Sequence, residues 1–177
     1  MPYSDDSNVE YVEYFIGGLQ PNHVLDVGAG AGKYGKIVRA KANPLELTAL
    51  EPWEPYIDEF KLDDIYDNVF TIDIREANWD VSRKTISLGL YDLIIFGDVL
   101  EHMTKEDAIE VYGKAASHTT NIIISIPIVH YPQGHEHGNP YEEHIKDDWT
   151  TEEVLDTFEG IYDWKVYEQT ATFLAGW

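Results

Sequence analysis

Three stretches of this 177-residue chain hold residues whose types and spacing could do chemistry. In the first, the apolar run Val24-Leu25-Asp26-Val27 stops at Gly28, Gly30 and Gly32, and a helical pattern follows from Lys33 to about Lys41. Glycines at the end of a strand let backbone approach a ligand closely, and the free N–H groups of the helix that follows face that ligand. The pattern predicts a nucleotide-type pocket. In the second, Asp98, Glu101 and His102 stand at i, i+3 and i+4, which puts all three on one face if a helical turn forms there. The third runs from Ile128 to Trp149 and holds His130, His135, His137 and His144, four of the seven histidines, with Glu136, Glu142 and Glu143 among them. Either a lid over a substrate or a metal site would use such a composition.

The glycine loop admits three readings, which its flanking residues separate. A Walker phosphate loop needs a glycine five positions before the Gly-Lys pair and Ser or Thr after it, and Val27 and Tyr34 stand there instead. The dinucleotide fingerprint is met only in a shifted register by Gly30, Gly32 and Gly35, with Glu51 about twenty residues on, and leaves Asp26 and Gly28 without a role. The third uses all of them: Asp26-Val27-Gly28-Ala29-Gly30-Ala31-Gly32 resembles the first motif of class I S-adenosylmethionine-dependent methyltransferases.

That resemblance extends over nearly the whole chain. Leu47 to Glu51 is similar to the family's second strand, which implies that Glu51 holds the ribose hydroxyls; two hydroxyl donors suit a fixed carboxylate. Pro52 follows, and Trp53 stands where the family often places a residue against adenine. Val69 to Ile74 resembles the third strand, with Asp73 accepting from the adenine amino group. Tyr91 to Met103 resembles the fourth strand and the segment beside the transferred methyl. Ala29, Tyr34, Ile74, Gly97 and Asp98 are implied to border the cofactor. The fold implied is α/β, a single doubly wound, seven-stranded, mostly parallel sheet with an antiparallel last strand.

A divalent metal is a further implication. Asp98, Glu101 and His102 resemble the acidic-x-x-Glu-His motif of the small-RNA 2′-O-methyltransferases and the ubiquinone-pathway O-methyltransferases. In the former another histidine precedes a Trp-Thr pair, as His144 precedes Trp149-Thr150 here. Two carboxylates and two imidazoles suit Mn²⁺, Fe²⁺ or Zn²⁺ better than Mg²⁺. The same Asp-Val-Leu-Glu-His sequence also occurs in metal-free methyltransferases. If the acceptor needs a base, His130, His102 and Asp98 are the candidates near the expected methyl position.

The elements that must position these residues follow from periodicity and caps. Asp5-Asp6-Ser7-Asn8 offers caps to a leading helix within residues 1–20, whose apolar stripe Val9, Val12, Phe15, Ile16 and Leu19 is loosened and ended by Gly17-Gly18. Tyr3, Tyr11 and Tyr14 would line a substrate mouth or pack at its rim. Pro55 to Phe60 reads as a short helix, and Arg75 to Leu90, with Trp79, Val81, Ile86 and Leu88, as a partly buried crossover. Thr104 with Asp107, and Thr150 with Glu153, cap two later helices. Asn121 to Ile126 is strand five, and Trp164 to Gln169 and Thr170 to Trp177 are the closing pair.

Composition bounds the partners. Acidic residues outnumber basic ones 33 to 12, a formal charge of −21, which opposes phosphate backbones and argues against a nucleic-acid partner. Lys33, Lys36, Arg39 and Lys41, with Arg83 and Lys84, are a local exception and read as a solvated face. There is no cysteine, no apolar run of about 20 residues and no secretory pattern, so the expectation is one soluble, cytoplasmic domain over residues 1–177 with no membrane partner. The function expected is methyl transfer from S-adenosylmethionine to an O or N nucleophile of a small molecule. An NAD-dependent oxidoreductase and a non-catalytic cofactor-binding protein of the same fold are the alternatives.

Overall fold

A computed structural model describes residues 5–79 and 89–177. Tyr3, Arg83 and Lys84 and the crossover residues Val81, Ile86 and Leu88 lie outside them. Seven strands form one sheet: β1 (His23–Val27), β2 (Glu46–Leu50), β3 (Asn68–Phe70), β4 (Leu93–Gly97), β5 (Asn121–Pro127), β6 (Ile161–Val166) and β7 (Thr170–Gly176). Their order is β3-β2-β1-β4-β5-β7-β6, with β7 antiparallel to both β5 and β6 and the pairings among β1 to β5 parallel. The chain leaves β1 toward β3 and returns to β4, so the order reverses between β1 and β4. The crevice outside the carboxyl ends of these two strands is where an open α/β sheet takes its ligand.

Among the described residues five α-helices pack on the sheet: α1 (Val9–Leu19), α2 (Lys33–Lys41), α3 (Glu54–Glu59), α4 (Lys105–Ala116) and α5 (Thr151–Thr157). Every residue of β4 is buried, as a continuous apolar run in a two-sided parallel sheet should be. Alternation sends Leu25, Val27, Ile94 and Phe96 to one core with Trp149 and Phe158, and Val24, Leu47, Ile95 and Ile123 to the other with Val12, Ile16 and Val38. Thr104 and Thr150 accept from the N–H groups of Asp107 and Glu153, so both predicted caps form.

Several boundaries differ from the sequence reading. α1 runs straight through Gly17-Gly18 and stops at Gln20, whose left-handed backbone returns its N–H to the Ile16 carbonyl. Packing of Val12 and Ile16 outweighs the helix cost of two glycines. β3 is three residues long, not the expected run to Ile74, because Asp73 leaves the sheet to accept from the Arg75 N–H and caps a 3₁₀ turn at Ile74–Glu76. β6 begins at Ile161, three residues before the expected Trp164. Among the described residues no helix is long and apolar enough to cross a membrane.

One buried polar knot ties the leading segment to the strand ends. The two N–H groups of the Asn8 amide, 1 % exposed, are shared among three oxygens, Tyr34 Oη at 3.0 Å, Ser125 Oγ at 3.2 Å and Thr172 Oγ1 at 3.0 Å. Its carbonyl oxygen accepts from Lys33 Nζ at 2.8 Å. Removing such a group strands several buried partners, each worth about 1–3 kcal/mol. Asn8→Ala is therefore expected to lower unfolding free energy by about 2–4 kcal/mol in urea titration; a loss within about 0.5 kcal/mol, the range of an ordinary surface change, would contradict the knot's role.

Candidate functional site

The glycine loop lies in the predicted crevice. Gly28, Gly30 and Gly32 have φ of 67°, 50° and 74°, a region L side chains rarely enter. The N–H groups of Gly28 and Ala29 bond to the Leu50 carbonyl at 2.8 and 3.1 Å. Those of Gly30 and Trp53 bond to opposite oxygens of Glu51 at 2.8 and 2.9 Å. Glu51 thus fixes the loop while bordering the cavity, and burial pushes its carboxyl up to about 7. Asp26 lies fully buried beneath the loop, where burial likewise raises it to about 7, and accepts from Tyr66 Oη at 2.5 Å. A Cβ on Gly35 would sit 2.4 Å from the Tyr66 ring, which explains that glycine without a dinucleotide.

The cavity in this crevice is bordered by Gly28, Ala29, Gly30, Tyr34, Glu51 and Pro52 from the first two βα turns, by Asp73 and Ile74, and by Gly97 and Asp98 at the end of β4. Of the expected cofactor residues, Asp26, Gly32 and Trp53 do not border it: Asp26 and Gly32 act beneath and behind the loop, and Trp53 offers its N–H to Glu51. Tyr34 lies hard against the strand end, since a Cβ on Gly97 would come 2.0 Å from its ring. Asp73 is gripped by the Arg75 guanidinium, with Nε 3.0 Å from each carboxylate oxygen, and this hydrogen bonding holds its carboxyl below the ordinary range despite burial. Arg75 also borders the cavity and was not signalled by the sequence.

The histidine-rich segment lines two cavities. Asn139 to Glu142 and Ile145 close the first, where the Tyr56 hydroxyl donates to Glu142 at 3.1 Å. Tyr131, Gln133 and His144 border a second cavity of about 310 Å³ together with Asp98, Glu101 and His102. Asp98 and His102 border both.

In the second cavity the Glu101 side chain is 1 % exposed, and neither carboxylate oxygen has a hydrogen-bond partner among the described residues. His102 Nδ1 lies 3.1 Å from the Glu143 carbonyl and His144 Nδ1 2.7 Å from the Tyr131 carbonyl. Both must donate there, which leaves each Nε2 with its lone pair. One ligand atom from each of Glu101, His102 and His144 lies within 4.8 Å of the others. Burial lowers both imidazoles, so both are neutral near pH 7.

Asp98 stands apart from this trio. The helical turn expected to carry Asp98, Glu101 and His102 does not include Asp98: its φ is 57°, and a 3₁₀ turn begins only at Leu100. Its N–H bonds to the Ser125 carbonyl at 2.9 Å and its Oδ1 accepts from Ser125 Oγ at 3.1 Å, which re-aims the carboxylate toward the junction of the cavities. His130 is not gathered in either: its side chain is 70 % exposed and lies 3.5 Å from Asp147. His135 pairs with Glu143 at 3.2 Å, and His118 is fixed by the carbonyls of Lys114 and Trp79. Tyr14 is exposed to solvent, and Tyr11 buries its hydroxyl; neither borders a cavity.

No family model matches the sequence, and no curated protein does. Solved structures do. Magnesium protoporphyrin IX methyltransferase from Synechocystis PCC 6803, with S-adenosylhomocysteine bound, matches with a TM-score of 0.69 at 17 % identity over 97 % of this chain and 82 % of that one. A Burkholderia thailandensis 1,6-didemethyltoxoflavin-N1-methyltransferase gives 0.69 at 13 % identity, over 97 % and 79 %. The N-terminal domain of EvdMO1, solved with S-adenosylhomocysteine and D-fucose, gives 0.68 at 11 %, over 98 % and 84 %. Some matches are longer proteins: this chain spans 55 % of one from Nostoc punctiforme PCC 73102. At such identities the likeness is one of fold.

Proposed function

This chain has the class I S-adenosylmethionine-dependent methyltransferase fold, and from that premise we propose that it moves a methyl group from S-adenosylmethionine to a small polar acceptor. The observation that carries the reading is the meeting of two cavities at Asp98 and His102, one built like a nucleoside cradle and the other polar. The residues present fit the cofactor. A Cβ on Gly28 would strike Val99 at 2.7 Å, so glycine lets the loop pack down on the segment after β4 with its backbone at the cavity wall, and Glu51 and Asp73 offer carboxylates for hydroxyl and amino donors. Gly28, Ala29 and Gly30 would cradle it, Tyr34 and Gly97 would floor its site, and Ile74 would flank the ring. When bound, the cofactor supplies a methyl already activated by its sulfonium. What remains for the protein is alignment and one proton acceptor. Asp98, held by Ser125 at the junction, takes that role, and exposed His130 is given none.

Glu101, His102 and His144 are proposed to hold a divalent cation. Two neutral imidazoles with anchored Nδ1–H groups, and the Glu101 carboxyl, which burial holds well above the ordinary carboxylate range and which would give up its proton as the ion binds, form a ligand set that fits such an ion. It would supply Lewis acidity beside the junction. Mn²⁺ titration followed by water-proton relaxation is expected to find one site, weakened at least about tenfold by Glu101→Gln through loss of one charged ligand. A wild-type protein that binds no Mn²⁺ would remove the metal from this account.

Two observations weigh against the alternatives. The order β3-β2-β1-β4-β5-β7-β6 departs from the 3-2-1-4-5-6 order of dinucleotide enzymes. An intact loop, Glu51 and Asp98 also argue against a dead pocket. The transfer itself is tested by incubating the protein with methyl-labelled S-adenosylmethionine and a small-molecule extract. Label in a polar, low-mass product is expected, and Asp98→Asn should cut it by about 10²-fold or more, the range of a general base. Cofactor binding without any transfer would leave a binding protein.

A further inference from the structure

We propose that Lys33 receives the α-carboxylate at the amino-acid end of the cofactor, and so gives the first cavity its preference for a ligand that carries one. The inference rests on the methyltransferase reading above and adds a contact to it.

S-adenosylmethionine ends in a zwitterion, and its carboxylate must exchange water for donors of comparable strength. The glycine loop has little to offer. The N–H groups of Gly28 and Ala29 are spent on the Leu50 carbonyl and that of Gly30 on Glu51. Glu51, Asp73, Asp98 and Glu142 border the same cavity and bring no positive charge. The cationic side chains among the described lining residues are Lys33 and Arg75. Arg75 already grips both oxygens of Asp73, at the end of the cavity assigned to the ring.

Lys33 is the opposite case, a buried cation with no anion close against it. The sequence placed it on a solvated face, yet its side chain is 15 % exposed. Its Nζ donates to two neutral oxygens, the Asp5 carbonyl and, at 2.8 Å, Asn8 Oδ1. The carboxylate paired with it, Asp6, is 3.8 Å away on a side chain that is 87 % exposed. Asp98 is close enough to favour the charged form, but its Oδ1 is held by Ser125 Oγ. Met1 to Ser4 contain no acid that could serve instead.

Its own helix gives no relief. Lys33 stands in the first turn of α2, where the helix dipole repels a cation, and that turn has no acid. Burial lowers its pKa against the pull of Asp98, Asp6 and Asp5. An ammonium has three donors, so two neutral partners leave one N–H for an incoming oxygen. A desolvated charge gains more from an anion than a solvated one does, which makes Lys33 the strongest receptor for a carboxylate on this wall.

The test is calorimetry with two ligands, S-adenosylhomocysteine and its analogue lacking only the α-carboxylate, on the wild type, Lys33→Gln and Lys33→Arg. The wild type is expected to bind S-adenosylhomocysteine at least about tenfold more tightly than the analogue, the scale of one charge-assisted contact. Lys33→Gln should erase that preference, weakening S-adenosylhomocysteine at least about tenfold and the analogue by less than about twofold. Lys33→Arg keeps the charge and should retain most of the preference. Lys33→Met takes the place of Lys33→Gln if the latter does not fold. A preference that survives loss of the ammonium overturns the inference. So does an equal loss for both ligands in a variant that still melts cooperatively, since Lys33 would then act only by holding the leading segment. A wild type that binds the two ligands alike also overturns it and leaves the methyltransferase reading standing. A wild type that binds neither brings down that reading, and the Lys33 contact with it.

Discussion

Gly97→Ala should abolish measurable binding of S-adenosylmethionine. The added methyl would lie 2.0 Å from Tyr34 Cε2 and 2.5 Å from Cδ2, far inside contact distance. Tyr34 has little room to yield, because it is 3 % exposed and its hydroxyl accepts from Asn8 at 3.0 Å. Either the ring tips into the cavity or the end of β4 moves away from Asp98. Overpacking of this kind costs about 1–3 kcal/mol or more, and here it falls on the floor of the proposed cofactor site. Affinity by calorimetry should drop at least about a hundredfold, nearly 3 kcal/mol at 1.4 kcal/mol per decade. Tyr34→Ala in the same protein should recover part of the loss, since the two changes share one contact. Wild-type affinity in Gly97→Ala would mean that the cofactor does not use this floor.

Glu51→Gln carries the second large effect. One oxygen of Glu51 accepts from Gly30 N–H and the other from Trp53 N–H, so an amide at this position must turn its NH₂ toward one of two backbone donors. The charged acceptor proposed for the ribose hydroxyls is lost as well. Affinity for S-adenosylmethionine is expected to fall by about 10²-fold, from a charge-assisted bond of about 1.5–3 kcal/mol plus an unpaired donor. The wild-type protein should also show a pH signature. Burial raises Glu51 to about 7, and hydroxyl donors favour the ionised form, so affinity should rise about tenfold between pH 6 and 8 and then level. Glu51→Gln should remove that component. In the ligand-free protein the sign is opposite. An acid whose folded pKa is raised from 4.5 to about 7 adds stability that is complete below 4.5 and lost as pH climbs to about 7, and Asp26, raised from 3.8 to about 7, acts in the same sense.

Much of this arrangement was legible in the residues. The alternation of Gly28, Gly30 and Gly32 after an apolar run encodes a turn that only positive φ can make, and the run Leu93 to Gly97 encodes a strand buried on both faces. Glu51 could be picked out because it directly follows the apolar run of β2, whereas Asp73 lies three residues past the end of β3 and caps the turn that follows. What stayed hidden depends on contacts distant in sequence. Tyr66 lies 40 residues from Asp26, and no local period relates them. Tyr56 meets Glu142 across 86 residues, which is how a segment expected on the acceptor side alone also closes the first cavity. For Asp98 only the expected helical turn with Glu101 and His102 fails, and for a local reason. Its left-handed backbone, φ 57°, breaks the i, i+3, i+4 geometry that the sequence spacing implied, while its Ser125 partner comes from the neighbouring strand. His130 was named for its expected place near the methyl, and side-chain direction in an irregular segment follows no period.

The most direct measurement is calorimetric titration of the purified protein with S-adenosylmethionine and, in a parallel cell, with NAD⁺. One S-adenosylmethionine per chain, with no heat from NAD⁺ and with Gly97→Ala silent in both, is the predicted result. Binding of NAD⁺ in place of S-adenosylmethionine, or of neither, would contradict the assignment of the crevice at the ends of β1 and β4.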